Sequence, residues 1–189
     1  MIKKILLGFL AIFVAVFAIC NVGYAASKKY TKGYDVPKWK KSQISVYIPA
    51  KDEYVPLVRK GFQKWQDVSC GNLKFNYVEK QPADIEVNFV KQKGTDTELG
   101  SYSVQIINNE IKKAYISLST KSPEISKYSK SYVELTILHE IGHVLGLSDA
   151  PRKNFSIMHK PISEDQKILK TDILNLFRVN SWNYMNRDR

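Results

Sequence analysis

The chain has 189 residues, enough for one domain with a hydrophobic core and too few for two of ordinary size. Its 44% apolar and 25% charged content, with only 9 Gly and 7 Pro, excludes a collagen, a low-complexity tail and a disordered chain. The formal net charge of +11 favours encounter with anionic envelope polymers, phospholipid headgroups or nucleic acid, but carries no information about fold or chemistry.

Directly after Lys3 and Lys4, the segment Ile5 to Cys20 runs for 16 residues without a polar or charged side chain. A basic start, an apolar stretch and the small residues Gly23 and Ala25 read as an export signal over residues 1–25, cut before Ala26. The expected product is secreted and extracellular, with a net charge of +9 once Lys3 and Lys4 are gone. The alternative is an uncleaved N-terminal anchor with the domain facing outside, because a span of about 20 residues is reached if Asn21 sits at the interface. With Cys20 in the signal, Cys70 is left without an intrachain partner and reads as a small buried apolar residue.

Residues 26–41 form a polar, lysine-rich lead-in, read as exposed. Ile44, Val46 and Ile48 then alternate as a first strand ended by Pro49. Val58, Phe62 and Trp65 fall at helical spacing, with Pro56 in the first turn, and predict a helix ending near Val68. Leu73, Phe75 and Tyr77 mark a second strand, and Ile85, Val87 and Phe89 a third. Tyr102, Val104 and Ile106 lead into Asn108-Asn109, and Ala114, Ile116 and Leu118 lead out, which predicts a hairpin. Ser131 and Glu134 are spaced as a capping box for a helix from about Tyr132 to Leu145, which Gly146 lets the chain leave sharply. A closing helix is expected from Thr171 as N-cap, with Asp172 in its first turn.

Two of the three histidines, His139 and His143, sit four apart inside the second helix. At that spacing both imidazoles leave one face and can grip one metal ion, with Glu140 beside them. Three residues after His143 comes Gly146, and three further Asp149, so the stretch reads HEIGHVLGLSD. A helix that stops at a glycine can turn back and offer Asp149 as an oxygen ligand, which leaves one position open as catalytic zinc sites require. His159 is the alternative third ligand.

With Ser156-Ile157-Met158 following, the sequence resembles the metzincin metallopeptidases, which carry a Met-turn beneath the zinc. The resemblance is to the matrixin group and also rests on Trp39-Lys40, Gly61 to Trp65, Ala83 to Ile85 and Thr171 to Ile173, in family order. It departs from matrixins at Asp149, where they usually have a third histidine and small bacterial relatives resembling snapalysin have aspartate. It also lacks an inhibitory pro-domain, since nothing before the first strand is long enough. The fold implied is α+β: a twisted, mixed five-stranded sheet with two long helices and a small C-terminal subdomain with a closing helix, all within residues 42–189.

The resemblance implies one catalytic zinc ion on His139, His143 and Asp149, Met158 beneath it, and Glu140 as the general base that takes a proton from a zinc-bound water. It implies a protein or peptide substrate extended along the edge strand from Gly100 to Ile106, touching Gly100, Tyr102 and Val104. A pocket behind the zinc would involve His159 and Pro161, with Lys160 and Ile162 around it. Asp96 and Glu98 are weak candidates for calcium. The expected protein is a monomeric secreted zinc endopeptidase without specific nucleic-acid binding. The alternatives are a catalytically idle basic binding module on the same fold and a zinc hydrolase of cell-envelope polymers drawn by the positive charge.

Overall fold

The computed structural model describes residues 37–91, 99–119, 128–150 and 155–182. The expected signal segment, most of the lead-in, and Asp96 and Glu98 lie outside the described residues. Five strands, β1 (Gln43–Tyr47), β2 (Lys74–Val78), β3 (Ile85–Phe89), β4 (Gly100–Ile107) and β5 (Glu110–Leu118), form one sheet in the order β2-β1-β3-β5-β4. The first four in that order run parallel, and β4 pairs antiparallel with β5 at the edge. Among the described residues, three helices, α1 (Val55–Val68), α2 (Lys130–Val144) and α3 (Lys170–Val179), complete the α+β architecture expected from the sequence.

Period-2 patterning sets which strand face is buried: Ile44, Val46, Ile85, Val87, Ala114 and Ile116 are all but inaccessible. The apolar stripe of α1, Val58, Phe62 and Trp65, joins the same core, and the Trp65 indole donates to the Leu138 carbonyl of α2 at 2.9 Å. Helix α2 is buried from Leu135 through Val144, as a helix enclosed on all sides must be. Asn108 and Asn109 both take left-handed angles, φ 49° and 59°, which is the two-residue turn that matches strand twist.

Several local expectations are corrected. Helix α2 is capped by Ser129, whose hydroxyl accepts from the Tyr132 amide at 3.1 Å, so Ser131 lies within the helix. Glu134 faces α1 instead of the helix start, pairing with Lys60 at 2.9 Å and Lys64 at 2.6 Å. Helix α3 begins one residue earlier than Thr171, with Leu169 as N-cap, and the Asp172 carboxylate accepts from the Leu169 amide at 2.8 Å. The end of the lead-in is not exposed: Trp39 belongs to the core and its indole donates to the Val144 carbonyl at 2.7 Å. Cys70 follows α1 at a left-handed position, φ 52°, and is half-buried, not enclosed in the core as expected.

Candidate metal centre

The site is assembled where α2 ends. Gly146 takes φ +95°, its amide bonds to the His143 carbonyl at 2.9 Å, and the Leu147 amide bonds to the Gly142 carbonyl at 3.0 Å. These bonds satisfy the last carbonyls of the helix and reverse the chain. Asp149 is thereby brought back over the two histidines, and the Ala150 amide bonds to the Met158 carbonyl at 2.6 Å, joining this return to the methionine turn.

His139 Nε2 and His143 Nε2 are 3.0 Å apart, and the Asp149 Oδ1 lies 3.3 Å from the first and 3.1 Å from the second. Two donors about 2.0–2.1 Å from a tetrahedral zinc ion stand roughly 3.4 Å apart, close to these separations. The far side of each ring is engaged: His139 Nδ1 donates to the Ile157 carbonyl at 2.7 Å and His143 Nδ1 to the Leu147 carbonyl at 2.9 Å. A carbonyl only accepts, so the protons sit on Nδ1 and both Nε2 lone pairs face the Asp149 carboxylate. Burial pushes the His139 pKa down to about 4, His143 and Lys160 add like-charge repulsion, and the bond to Ile157 only partly offsets them. His143 is lowered for the same leading reason. Both rings are therefore neutral near pH 7, and three electron-pair donors converge on one point, an arrangement suited to a cation. The three can hold one metal ion.

Glu140, 3% exposed, lies on the same helix between the two histidines. The edge strand passes directly over it: a Cβ on Gly100 would stand 2.7 Å from Glu140 Cγ and 2.8 Å from Thr136 Cγ2, so only glycine permits this approach. Two residues further along, Tyr102 stacks on His143 with ring centroids 4.2 Å apart and planes within 14°. Burial, then the charges of Asp149 and Glu140, raise the Tyr102 pKa. Val104 follows on the same strand, half-buried.

Met158 sits beneath the cluster, 2% exposed, against Gly142, where a Cβ would overlap its sulfur. The turn that carries it is fixed by a buried polar chain. Ser156 Oγ donates to Asp172 Oδ1 at 2.6 Å and accepts from the Met158 amide at 2.9 Å. Burial raises the Asp172 pKa, with its bonds to Ser156, Leu169 and Ile157 acting in the opposite direction. His159 is not among the converging donors, and its Nδ1 is buried with no hydrogen-bond partner among the described residues. Beyond it, Lys160 and Pro161 are exposed. Gln166, 4% exposed, donates to the His159 carbonyl at 2.9 Å and the Pro161 carbonyl at 3.2 Å and accepts from the Ser163 amide at 3.2 Å.

Sequence reasoning named His139, Glu140, His143, Asp149 and Met158, and the structure brings them together. It missed Gln166, and it assigned Asp172 to the helix start without its second bond to the methionine turn. A buried-type glutamine between turn residues has no periodicity to announce it, whereas the Ser156 and Asp172 pair, sixteen residues apart, becomes visible only after folding.

No curated protein matches the chain. The family model for matrixins matches residues 38–176, which spans the sheet, both long helices, the donor cluster and the methionine turn. Matrixins are zinc metallopeptidases. On that match and this geometry, the chain belongs to the matrixin family.

Proposed function

We propose that this protein is a secreted zinc endopeptidase in which His139, His143 and Asp149 hold the metal and Glu140 is the general base. One observation carries the reading: two imidazole lone pairs and a carboxylate oxygen converge within about a tetrahedral edge of one another, with both Nδ1 protons committed to carbonyls. Bound zinc supplies Lewis acidity toward an attacking water and toward the scissile carbonyl.

The remaining steps belong to the chain's own residues. Glu140 takes a proton from the attacking water as its oxygen bonds to the carbonyl carbon, then delivers that proton to the leaving amine as the C–N bond breaks. Gly100 of β4 lies against its side chain, which limits the directions its carboxylate can take. Strand β4 is the edge strand of the sheet among the described residues, and an extended peptide can add there through main-chain hydrogen bonds, passing Gly100, Tyr102 and Val104. Gln166 holds the His159 and Pro161 carbonyls, and this segment after the methionine turn would help build the pocket behind the metal that sets sequence preference, as in matrixins.

Export rests on the apolar run Ile5 to Cys20 and its basic flank, and the protein acts as a monomer outside the cell. The test is to offer the zinc-loaded protein casein, a mixed peptide library and a cell-wall digest side by side. Cleavage of the peptides alone is the expected result. Turnover of the cell-wall digest alone would replace this reading with an envelope hydrolase, and stoichiometric zinc binding without any turnover would replace it with a binding module. N-terminal sequencing of exported protein is expected to begin at Ala26, and an intact Met1 would indicate an anchor instead.

A further inference from the structure

Strand β4 and helix α2 run side by side, and their residues meet in step. Gly100, Tyr102 and Val104 lie opposite Leu118, Ile116 and Ala114 of β5, all three buried, so these alternate β4 residues share the face turned toward α2. Gly100 meets Thr136 and Glu140, and Tyr102 meets His143, about one helical turn further on. The Tyr102 ring covers one face of His143 almost in parallel, yet the residue is 42% exposed. Its hydroxyl makes no hydrogen bond among the described residues, although Asp149, Glu140 and Lys160 all stand close enough to act on it electrostatically.

Stacking alone does not need a hydroxyl, since phenylalanine presents the same face to His143. A part-exposed phenol on the edge strand, stacked on a metal donor and near the general base, is instead a hydrogen-bond donor within reach of a ligand bound at the metal. We propose that Tyr102 is a second catalytic residue, whose hydroxyl donates a hydrogen bond to the scissile carbonyl oxygen. As the water oxygen bonds to the carbonyl carbon, the C=O π pair moves onto that oxygen and the Tyr102 bond strengthens. The phenol keeps its proton throughout, and the His143 stack fixes the ring's direction. The donor acts on charge that is absent from the bound substrate and develops on the way to the tetrahedral intermediate, so it raises kcat more than it lowers KM. This inference rests on the endopeptidase reading.

The experiment compares the full exported chain with Tyr102→Phe, which keeps the stack, and Tyr102→Leu, which removes it, using zinc titration, peptide cleavage, and binding of a peptide phosphinate, whose tetrahedral anion mimics the attacked carbonyl. Tyr102→Phe is expected to lose about 10–100-fold in kcat, at or just below what loss of one oxyanion donor costs elsewhere, with KM and zinc affinity changed by less than about twofold. Phosphinate binding should weaken by a similar factor, and Tyr102→Leu should in addition loosen zinc. An unchanged kcat and unchanged phosphinate affinity in Tyr102→Phe would overturn the proposal. So would a loss of activity matched by an equal loss of zinc affinity, because the ring would then act only through His143. If the wild-type chain cuts no peptide, the endopeptidase reading fails by itself, and the phosphinate comparison still decides for or against Tyr102.

Discussion

His139 is fastened to the turn that carries Met158: its Nδ1 donates to the Ile157 carbonyl across 2.7 Å, eighteen residues along the chain. The turn is fastened in its own right, because Ser156 Oγ donates to Asp172 on α3 at 2.6 Å and accepts the Met158 amide. The orientation of a ligand ring on α2 thus depends on an acid at the start of α3. Asp172→Ala leaves the buried Ser156 hydroxyl and the Leu169 amide without their acceptor. It is expected to destabilise the protein by about 2–4 kcal/mol, since the lost bonds involve a buried acid. Zinc affinity should fall with it, roughly 10–100-fold, as loss of a group that orients a ligand does in metal sites. Urea melts and zinc titration of the variant check both expectations.

The histidine pair makes the metal-free protein acid-sensitive. Both folded-state pKa values lie below the ordinary 6.5, His139 at about 4, so the unfolded chain binds more protons between those limits. Stability therefore rises with pH across that window, is fully present above about pH 6.5 and is lost as pH falls toward 4. For His139 alone the span corresponds to roughly 3 kcal/mol. Zinc competes with the same protons and should be released in the same direction. Melting the chelator-treated protein at pH 7.5, 6, 5 and 4 should show a falling midpoint, and a His139→Phe variant a flatter one.

Gly142 marks the place where α2, Met158 and Trp65 meet most closely. A methyl group there would overlap the Met158 sulfur and stand 3.1 Å from Trp65 Cζ2, and both side chains are almost wholly buried. Gly142→Ala gains helix propensity but must displace the turn or the indole. A net loss of about 1–3 kcal/mol is expected, as for other overpacked cores, with weaker zinc binding because the Met158 turn holds His139. A raised melting temperature would show that Met158 can move without cost.

Gln166 braces the segment that carries His159, Lys160 and Pro161 through two carbonyls and one amide. Gln166→Ala removes that brace without touching a metal donor. KM for peptides should rise severalfold and the cleavage preference should broaden, while zinc affinity stays within about twofold, as expected of a site with its ligands and their supporting bonds intact. Cleavage-site profiling of the variant against the wild type checks this.

The sheet and α1 were legible because period-2 and period-3.6 patterns report which side of an element meets the core, and Ile44, Val46, Phe62 and Trp65 obey them. The donor cluster was legible because His139, His143 and Asp149 lie within one helix and its exit, where spacing dictates geometry. Helix starts were less so: Ser129 and Ser131 both suit a cap, and only the extended backbone at Ser129 and the pull of Lys60 and Lys64 on Glu134 separate them. Alternation in β4 suggests core contacts, yet Tyr102 and Ile106 are 42% and 47% exposed, because β4 is the edge strand above the cleft. Trp39, Gln166 and the bond from Ser156 to Asp172 act through partners distant in sequence or through backbone groups, which leave no local pattern to read.

On the proposed mechanism, Glu140 moves the proton in a metal-dependent peptide hydrolysis. Purified Ala26 to Arg189 and its Glu140→Ala variant, each loaded with one zinc equivalent, should be compared on casein and a mixed peptide library, with and without chelator. The wild type should cleave and chelator should abolish that cleavage, while the variant should lose at least about 100-fold with zinc affinity nearly unchanged. Undiminished cleavage by zinc-loaded Glu140→Ala would contradict this mechanism.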